Sequence, residues 1–163
     1  MTDPVVAVVE QVRLVDPRTW VLIDLLERSF VPADPGHFGV DVQVFISDGQ
    51  DTGVDSFDVV VCSPSWLAER VSAGFWTPDG TWEGNESVKP GNAYWFMRTW
   101  DQPEFLKALE DVCKASSPGP DWGAVADRIG RFIPWEYDYR YDEKANKQAG
   151  LPPPRGWGVG SAP

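Results

Sequence analysis

Few residues of this chain have the types and spacing that enzyme chemistry needs. His37 is the only histidine among the 163 residues, so a Ser-His-Asp or Cys-His mechanism would have to use it. It lies in a loop between proline and glycine residues, where a lone histidine is more often structural or solvated than catalytic. The sequence contains no GxSxG, HExxH, P-loop or GxGxxG motif. Carboxylate pairs can hydrolyse glycosides without histidine, but nothing in the sequence singles out such a pair. We therefore predict no catalytic residues and no enzyme activity.

A cluster of carboxylates in one polar turn raises the question of a metal site. Asp48, Asp51 and Asp55 lie there together with Gly49 and Gly53. Calcium prefers clustered oxygen ligands, but the EF-hand pattern requires alternating ligands and a glutamate at its twelfth position. The turn has neither feature, so we predict no metal and no cofactor. A solvated turn and a loop that contacts a partner are the remaining interpretations.

The two cysteines give little indication of a catalytic or metal-binding role. Cys62 precedes a predicted helix N-terminus, where a thiolate could be stabilised, but it also ends an apolar run and is interpreted as a small buried hydrophobe. Two cysteines are too few for a disulfide framework, although a bond between Cys62 and Cys113 stays open. The N-terminus does not resemble a signal peptide, and no apolar run approaches ~20 residues. We expect a cytoplasmic protein.

Negative charge is concentrated in one part of the chain. No lysine or arginine occurs between Arg28 and Arg70, and residues 29–97 hold ten acidic residues against two basic ones, which is −8 of the total −11. A field of this sign repels nucleic acid and anionic membranes, whereas it attracts a basic partner and accelerates its association. The charge pattern therefore excludes direct nucleic-acid binding, with a solubility-promoting surface as the alternative interpretation.

Strict alternation of apolar and polar residues predicts the strands that would position this charge. Val5–Val15 is rich in valine and is predicted to be a first or edge strand. Residues 38–46 and 57–61 alternate most clearly and are predicted to form an antiparallel hairpin around the turn 47–56. Asp41 and Asp58 would then lie on its solvent face. Two further strands are predicted at 94–100, as a central strand, and at 133–141.

Helix predictions rest on capping residues. Asp16-Pro17 could begin a short helix over 20–30, although a strand over 19–23 is the alternative. Ser63-Pro64 begins a helix that runs to about Val71, Asp101 begins one that runs to Cys113, and Asp121 begins one that contains Ile129. Residues 75–93 are predicted to be an irregular insertion.

The mixture of these elements predicts the fold class and the domain organisation. Strands and helices do not alternate regularly, which favours an α+β fold with a mainly antiparallel sheet and helices packed on one face. We predict a single domain over residues 1–143, followed by a flexible Pro- and Gly-rich tail over residues 144–163.

Several motifs along the chain are similar to those of a known family. The run FVPADP at 30–35, the strand that Phe38 opens and the run SFDVVVCSPSWL at 56–67 resemble the immunity protein 8 family of bacterial polymorphic-toxin systems. Residues 91–94 and 135–137 resemble later parts of the family, so the similarity covers about residues 24–140. The chain has serine in place of the expected threonine at Ser63, a longer 75–90 segment, and an additional tail.

The resemblance implies a function. Such a protein binds a cognate toxin domain stoichiometrically inside the producing cell and neutralises it, which matters in bacterial competition, and it has no catalytic residues. The acidic field suggests that the toxin is basic, with a nuclease as the candidate activity. The predicted partner-binding residues lie in the turn, in the insertion and near the end of the last strand: Asp48, Asp51, Asp55, Asp79, Trp82, Glu83, Asp138, Tyr139 and Asp142.

Two other functions remain open at the level of the sequence. Nine tryptophans would suit a carbohydrate-binding module or a small glycoside-acting enzyme. The acidity would also suit a DNA mimic that inhibits a defence nuclease. The sequence predicts neither the identity of the toxin nor whether the chain is a monomer or a dimer.

Overall fold

The structure of the chain, a computed structural model, describes residues 3–50, 53–73 and 94–135, and of residues 71–73 it describes the backbone only. In chain order the elements are β1 (Val8–Val15), β2 (Leu22–Asp24), β3 (Gly39–Ser47), β4 (Val54–Cys62), α1 (Pro64–Ala73), β5 (Tyr94–Phe96), α2 (Gln102–Ser116) and α3 (Trp122–Ile129). The strands form one sheet in the order β2-β1-β3-β4-β5. All neighbouring strands are antiparallel except β4 and β5. The predicted α+β class with a mainly antiparallel sheet is confirmed.

The hairpin of β3 and β4 is the centre of the sheet and was predicted correctly. Val44 pairs with Phe57 and Val42 with Val59, so the apolar members of both alternating runs share one face. On that face Val44 and Phe57 are fully buried, while Asp41 and Asp58 lie exposed on the opposite face as predicted. Burying a side chain of this size contributes about 1.5–3 kcal/mol, so the alternation itself fixes the register.

Helices α2 and α3 complete the core on the buried face. Phe105 and Leu109 of α2 and Val125 and Ile129 of α3 belong to the same buried cluster as the hairpin valines. Both helices begin as predicted, because the Asp101 carboxylate accepts a hydrogen bond from the N–H of Glu104, and Asp121 accepts one from Ala124. The local capping signals therefore set where each helix begins on the sheet.

Helix α1 begins directly after β4. The hydroxyl of Ser63 accepts a hydrogen bond from the N–H of Trp66 at 3.3 Å, so the predicted N-cap is confirmed. A Cβ atom on Gly39, at the start of β3, would overlap the indole of Trp66. Glycine is required at this position because only a residue without a side chain lets the indole approach the strand this closely.

The predicted helix over 20–30 is wrong, and its strand alternative at 19–23 is closer to the structure. Residues 16–20 form a turn in which the Asp16 carboxylate accepts a hydrogen bond from the N–H of Arg18 at 2.9 Å. The chain then returns as β2, where Leu22 pairs with Val15 of β1. An aspartate that bonds to the backbone two residues later stabilises a turn rather than a helix. The first strand, β1, consequently has β2 on one side and β3 on the other.

The predicted central strand over 94–100 is also wrong in length and position. β5 contains only three residues and lies at the end of the described sheet, parallel to β4. Trp100 is buried in the core instead, where its indole N–H donates to the carbonyl of Phe30 at 2.7 Å. The rings of Trp95 and Trp100, which the sequence pattern places in one strand, therefore both pack against Phe105 of α2.

Three predictions extend beyond the described residues. The last predicted strand, over 133–141, is described only to Trp135, which forms an isolated bridge with Phe57. The predicted insertion at 75–93 and the predicted tail at 144–163 lie outside the described residues. Among the residues that the structure describes, no helix is long and apolar enough to cross a membrane.

Candidate partner-binding site

Four carboxylates meet at one end of the sheet, and we name this group the acidic end: Glu10, Asp48, Asp55 and Asp121. The pairing of Val8 with Ser47 places the start of β1 beside the turn between β3 and β4. A bridge between Val5 and Gly119 brings the start of α3 to the same place. Residues from three distant parts of the chain therefore bring negative charge to the same end of the sheet.

Hydrogen bonds give the described part of the turn a defined shape. The Asp48 carboxylate accepts a hydrogen bond from the N–H of Gln50 at 2.9 Å, and the Ser47 hydroxyl donates to Glu10 at 2.6 Å. Gly49 has a φ of 72° and Gly53 a φ of 121°, which are left-handed values that residues with side chains rarely adopt. The glycines thus allow the backbone to turn at the end of β3 and before β4, and Asp48 lies beside the start of β1.

Asp55 has a structural role as well as a charge. Its Oδ2 atom accepts hydrogen bonds from the indole N–H of Trp122 at 2.6 Å and of Trp135 at 3.0 Å. Hydrogen bonds to a charged acceptor are stronger than neutral ones. One carboxylate oxygen therefore joins β4 to α3 and to the segment that follows α3.

The structure places two of the nine predicted partner-binding residues. Asp48 and Asp55 are both half-buried and lie together at the acidic end. The other seven lie outside the described residues: Asp51, Asp79, Trp82, Glu83, Asp138, Tyr139 and Asp142. Sequence reasoning missed Glu10 and Asp121 as members of this surface. Asp121 was recognised only as a helix cap, and nothing local in the sequence brings Glu10 to the turn.

A second polar cluster joins the His37 loop to α1. His37 Nε2 lies 2.7 Å from Glu69, and His37 Nδ1 lies 3.1 Å from the Ser65 hydroxyl, which also contacts the Ser63 hydroxyl. The residue types are those of a Ser-His-acid triad, but the ring nitrogens are used in the reverse order. Ser65 also donates to the carbonyl of Gly36. These contacts attach the loop to the first turns of the helix.

Both thiols are buried and free, and neither is bonded to the other. Burial raises the pKa of the Cys62 thiol to about 11. Burial, together with the nearby Glu110 carboxylate, raises the pKa of Cys113 to about 11 as well. Because the thiolate is the nucleophilic form, both cysteines are unreactive at neutral pH. The interpretation of Cys62 as a small buried hydrophobe is confirmed.

The described residues also bear on the question of metals. Within residues 3–50, 53–73 and 94–135, no three His, Cys, Asp or Glu side chains are grouped so that they could hold an ion. At the acidic end, the carboxylates of Asp48 and Asp121 accept backbone hydrogen bonds and Asp55 accepts from two indoles.

Comparison with known proteins adds one finding to this geometry. A family model described as Immunity protein 8 matches residues 19–139. That range contains the whole sheet except β1, together with all three helices and three of the four residues of the acidic end. Neither the curated proteins nor the solved structures compared with the chain gave a match.

Proposed function

The chain belongs to the immunity protein 8 family, a family of immunity proteins of toxin systems, and we propose that it neutralises one cognate toxin domain by stoichiometric binding through its acidic end. The family match over residues 19–139 is the observation that carries this proposal. The four carboxylates at one end of the sheet support the choice of this surface.

The shape of the acidic end supports a role in recognition. A binding surface that is already ordered loses less conformational entropy when a partner binds. Here the turn is held by hydrogen bonds from the backbone to Asp48 and from Ser47 to Glu10, and Asp121 is fixed as a helix cap. The carboxylates are therefore presented in fixed positions, which favours a partner with a matching arrangement of bases.

Charge complementarity suggests the chemistry of the toxin. An acidic surface in a chain of net charge −11 attracts a basic protein and repels nucleic acid. Enzymes that cut nucleic acids need positive substrate sites because the phosphate backbone is negative. We therefore propose that the toxin domain is basic and is a nuclease, whose positive site the acidic end covers or adjoins.

The remaining parts of the proposal follow from neutralisation by binding alone. The chain needs no catalytic residue and no cofactor for this role, and it acts in the cytoplasm of the cell that makes the toxin. Residues 1–143 would form the binding domain and residues 144–163 a separate tail. The untested residues Asp51, Asp79, Trp82, Glu83, Asp138, Tyr139 and Asp142 stay candidates for the contact surface.

Co-expression tests the proposal. The product of the gene directly upstream, tested as the candidate toxin domain, is expressed in bacteria with and without this chain, and growth is measured together with capture of the tagged candidate. We expect the chain to restore growth and to co-purify with the toxin domain in a 1:1 ratio. Failure of both would contradict the proposal, and a toxin domain that does not cut nucleic acid would contradict its nuclease part.

A further inference from the structure

The tip of the hairpin between β1 and β2 carries an unusual group of exposed apolar side chains. The side chain of Trp20 is 83% exposed, and Val15, Val21 and Leu22 beside it are also exposed. Val15 and Leu22 are cross-strand partners in the β1–β2 ladder and lie side by side, and Trp20 and Val21 precede Leu22 at the tip of the hairpin. We name these four residues the hairpin patch. Contiguous apolar patches of this kind on a soluble protein mark contact surfaces.

The hairpin that carries the patch is held rigidly. The carbonyl of Asp16 accepts a hydrogen bond from the N–H of Trp20 at 2.8 Å, and the N–H of Asp16 donates to Val21 at 3.0 Å. The Asp16 carboxylate, itself buried, binds the Arg18 guanidinium through both oxygens, and Arg18 donates to the carbonyl of Val31. The backbone that carries the exposed indole is therefore held in place by this network of hydrogen bonds.

Trp20 also has a backbone conformation that is unfavourable for its residue type. Its φ is 57°, in the left-handed region that glycine favours and that bulky residues rarely adopt. A tryptophan held in that conformation, with its ring in solvent, does not contribute to the core. The turn requires this conformation whichever residue occupies the position, so glycine would suit it better than tryptophan. Tryptophan is among the residues most enriched in the anchors of protein interfaces.

The charge around the patch indicates what can cover it. Residues 13–31 contain three arginines and three acidic residues, so this part of the chain is neutral within a chain of net charge −11. Two copies of so acidic a chain repel each other unless their contact excludes the acidic surfaces. The hairpin patch lies at the opposite end of the eight-residue strand β1 from the acidic end, which is a separation of about 25 Å.

We propose that the hairpin patch is the contact between two copies of this chain, related by a two-fold axis. Such an interface uses the same surface on both copies, and the patch offers a projecting indole beside exposed aliphatic side chains with which the partner's indole can pack. It leaves the acidic end of each copy free. The dimer would therefore display two acidic ends, and this inference does not depend on what binds there. A contact this small predicts weak, micromolar association.

Sedimentation equilibrium of the full chain between about 1 and 300 µM tests the proposal, since that range brackets a micromolar dissociation constant. We expect a monomer–dimer equilibrium that Trp20→Gly weakens at least tenfold, since glycine keeps the turn conformation and removes only the indole. Leu22→Lys should have the same effect. Val54→Lys is the matched control, because Val54 is a similarly exposed strand residue near the acidic end.

Cross-linking provides a second measurement. Leu22→Cys places a thiol in the proposed contact, whereas Val54→Cys places one outside it, and both native cysteines are buried. Under mild oxidation we expect disulfide-linked dimers from the first variant at much lower protein concentration than from the second. A chain that is monomeric throughout the concentration range would overturn the proposal. A monomeric chain whose Trp20→Gly variant loses capture of the toxin domain would assign the patch to the toxin instead.

Discussion

The indole N–H of Trp122 donates a hydrogen bond to Oδ2 of Asp55 at 2.6 Å, and this bond joins the first residue of α3 to β4 across 67 positions of sequence. Trp135 donates to the same oxygen at 3.0 Å. An aspartate that the sequence marks as part of a polar turn therefore also anchors two tryptophans. The surface proposed to meet the toxin and the packing of α3 depend on the same carboxylate.

Loss of the Asp55 carboxylate should destabilise the fold. Asp55→Ala leaves two partly buried indole N–H groups without their acceptor, and we expect the free energy of unfolding to fall by about 2–3 kcal/mol. Urea denaturation followed by tryptophan fluorescence measures the change. Gln43→Ala is the control, since Gln43 is an exposed strand residue of the same sheet and should change the free energy by less than about 0.5 kcal/mol. Equal effects of the two substitutions would show that the paired indoles do not anchor α3.

The close approach of Trp66 to β3 gives a second prediction. Gly39→Ala puts a methyl group where the indole of Trp66 lies, and we expect a loss of about 1–3 kcal/mol as the helix is displaced. Gly36→Ala is a matched control in the preceding loop, because its new methyl group would lie 3.5 Å from the nearest atom, Oδ1 of Asp34, at ordinary contact distance. Thermal unfolding of the two variants should therefore differ clearly. If Gly39→Ala unfolds at the same temperature as the parent protein, α1 does not pack on β3 in this way.

Buried thiols should make the native protein resistant to alkylation. The pKa values of Cys62 and Cys113 are raised to about 11, so the thiolate fraction at pH 8 is much smaller than for an exposed cysteine. We expect iodoacetamide to label neither residue of the folded chain at pH 8 within minutes, and to label both in guanidinium chloride. Labelling should accelerate as the pH rises toward 11. Rapid labelling of either cysteine at pH 8 in the folded chain would contradict the burial.

The acidic end should control the rate of toxin binding. Glu10→Gln, Asp48→Asn and Asp121→Asn together remove three charges while they retain the side-chain oxygens that accept the hydrogen bonds. At low ionic strength we expect the association rate constant with the toxin domain to fall about tenfold, with a weaker dependence on salt.

A control for that variant lies at the other end of the molecule. Glu27→Gln, Asp34→Asn and Glu104→Gln change the net charge by the same amount near the start of α2. Stopped-flow fluorescence at several salt concentrations compares the two triple variants. If both slow association equally, net charge rather than the position of the acidic end governs the encounter.

Local signals in the sequence predicted much of the fold. The alternation in β3 and β4 and the capping aspartates at 101 and 121 act over a few residues, and the structure uses them as expected. The errors arose where distant contacts decide the outcome. Residues 20–30 are apolar enough for either a helix or a strand, and only pairing with β1 selects β2. The residues that lead up to Trp100 alternate as they do in a strand, but the Trp100 side chain packs in the core.

The site was predicted less completely for the same physical reason. A cluster of aspartates in a turn is visible in the sequence, so Asp48 and Asp55 were found. The two indoles that donate to Asp55 lie 67 and 80 residues away in the sequence, and no local sequence pattern predicts these contacts. Glu10 joins the surface only because β1 pairs with β3 in the register that sets Val8 beside Ser47.

The central claim is that the chain neutralises a toxin domain by binding it, and calorimetric titration of the two purified proteins tests this most directly. We expect a complex of one immunity chain with one toxin domain, a dissociation constant of about 10 nM or lower, and loss of toxin activity in proportion to the complex formed. Absence of binding at micromolar concentrations of both proteins, or inhibition far below one chain per toxin domain, would contradict it.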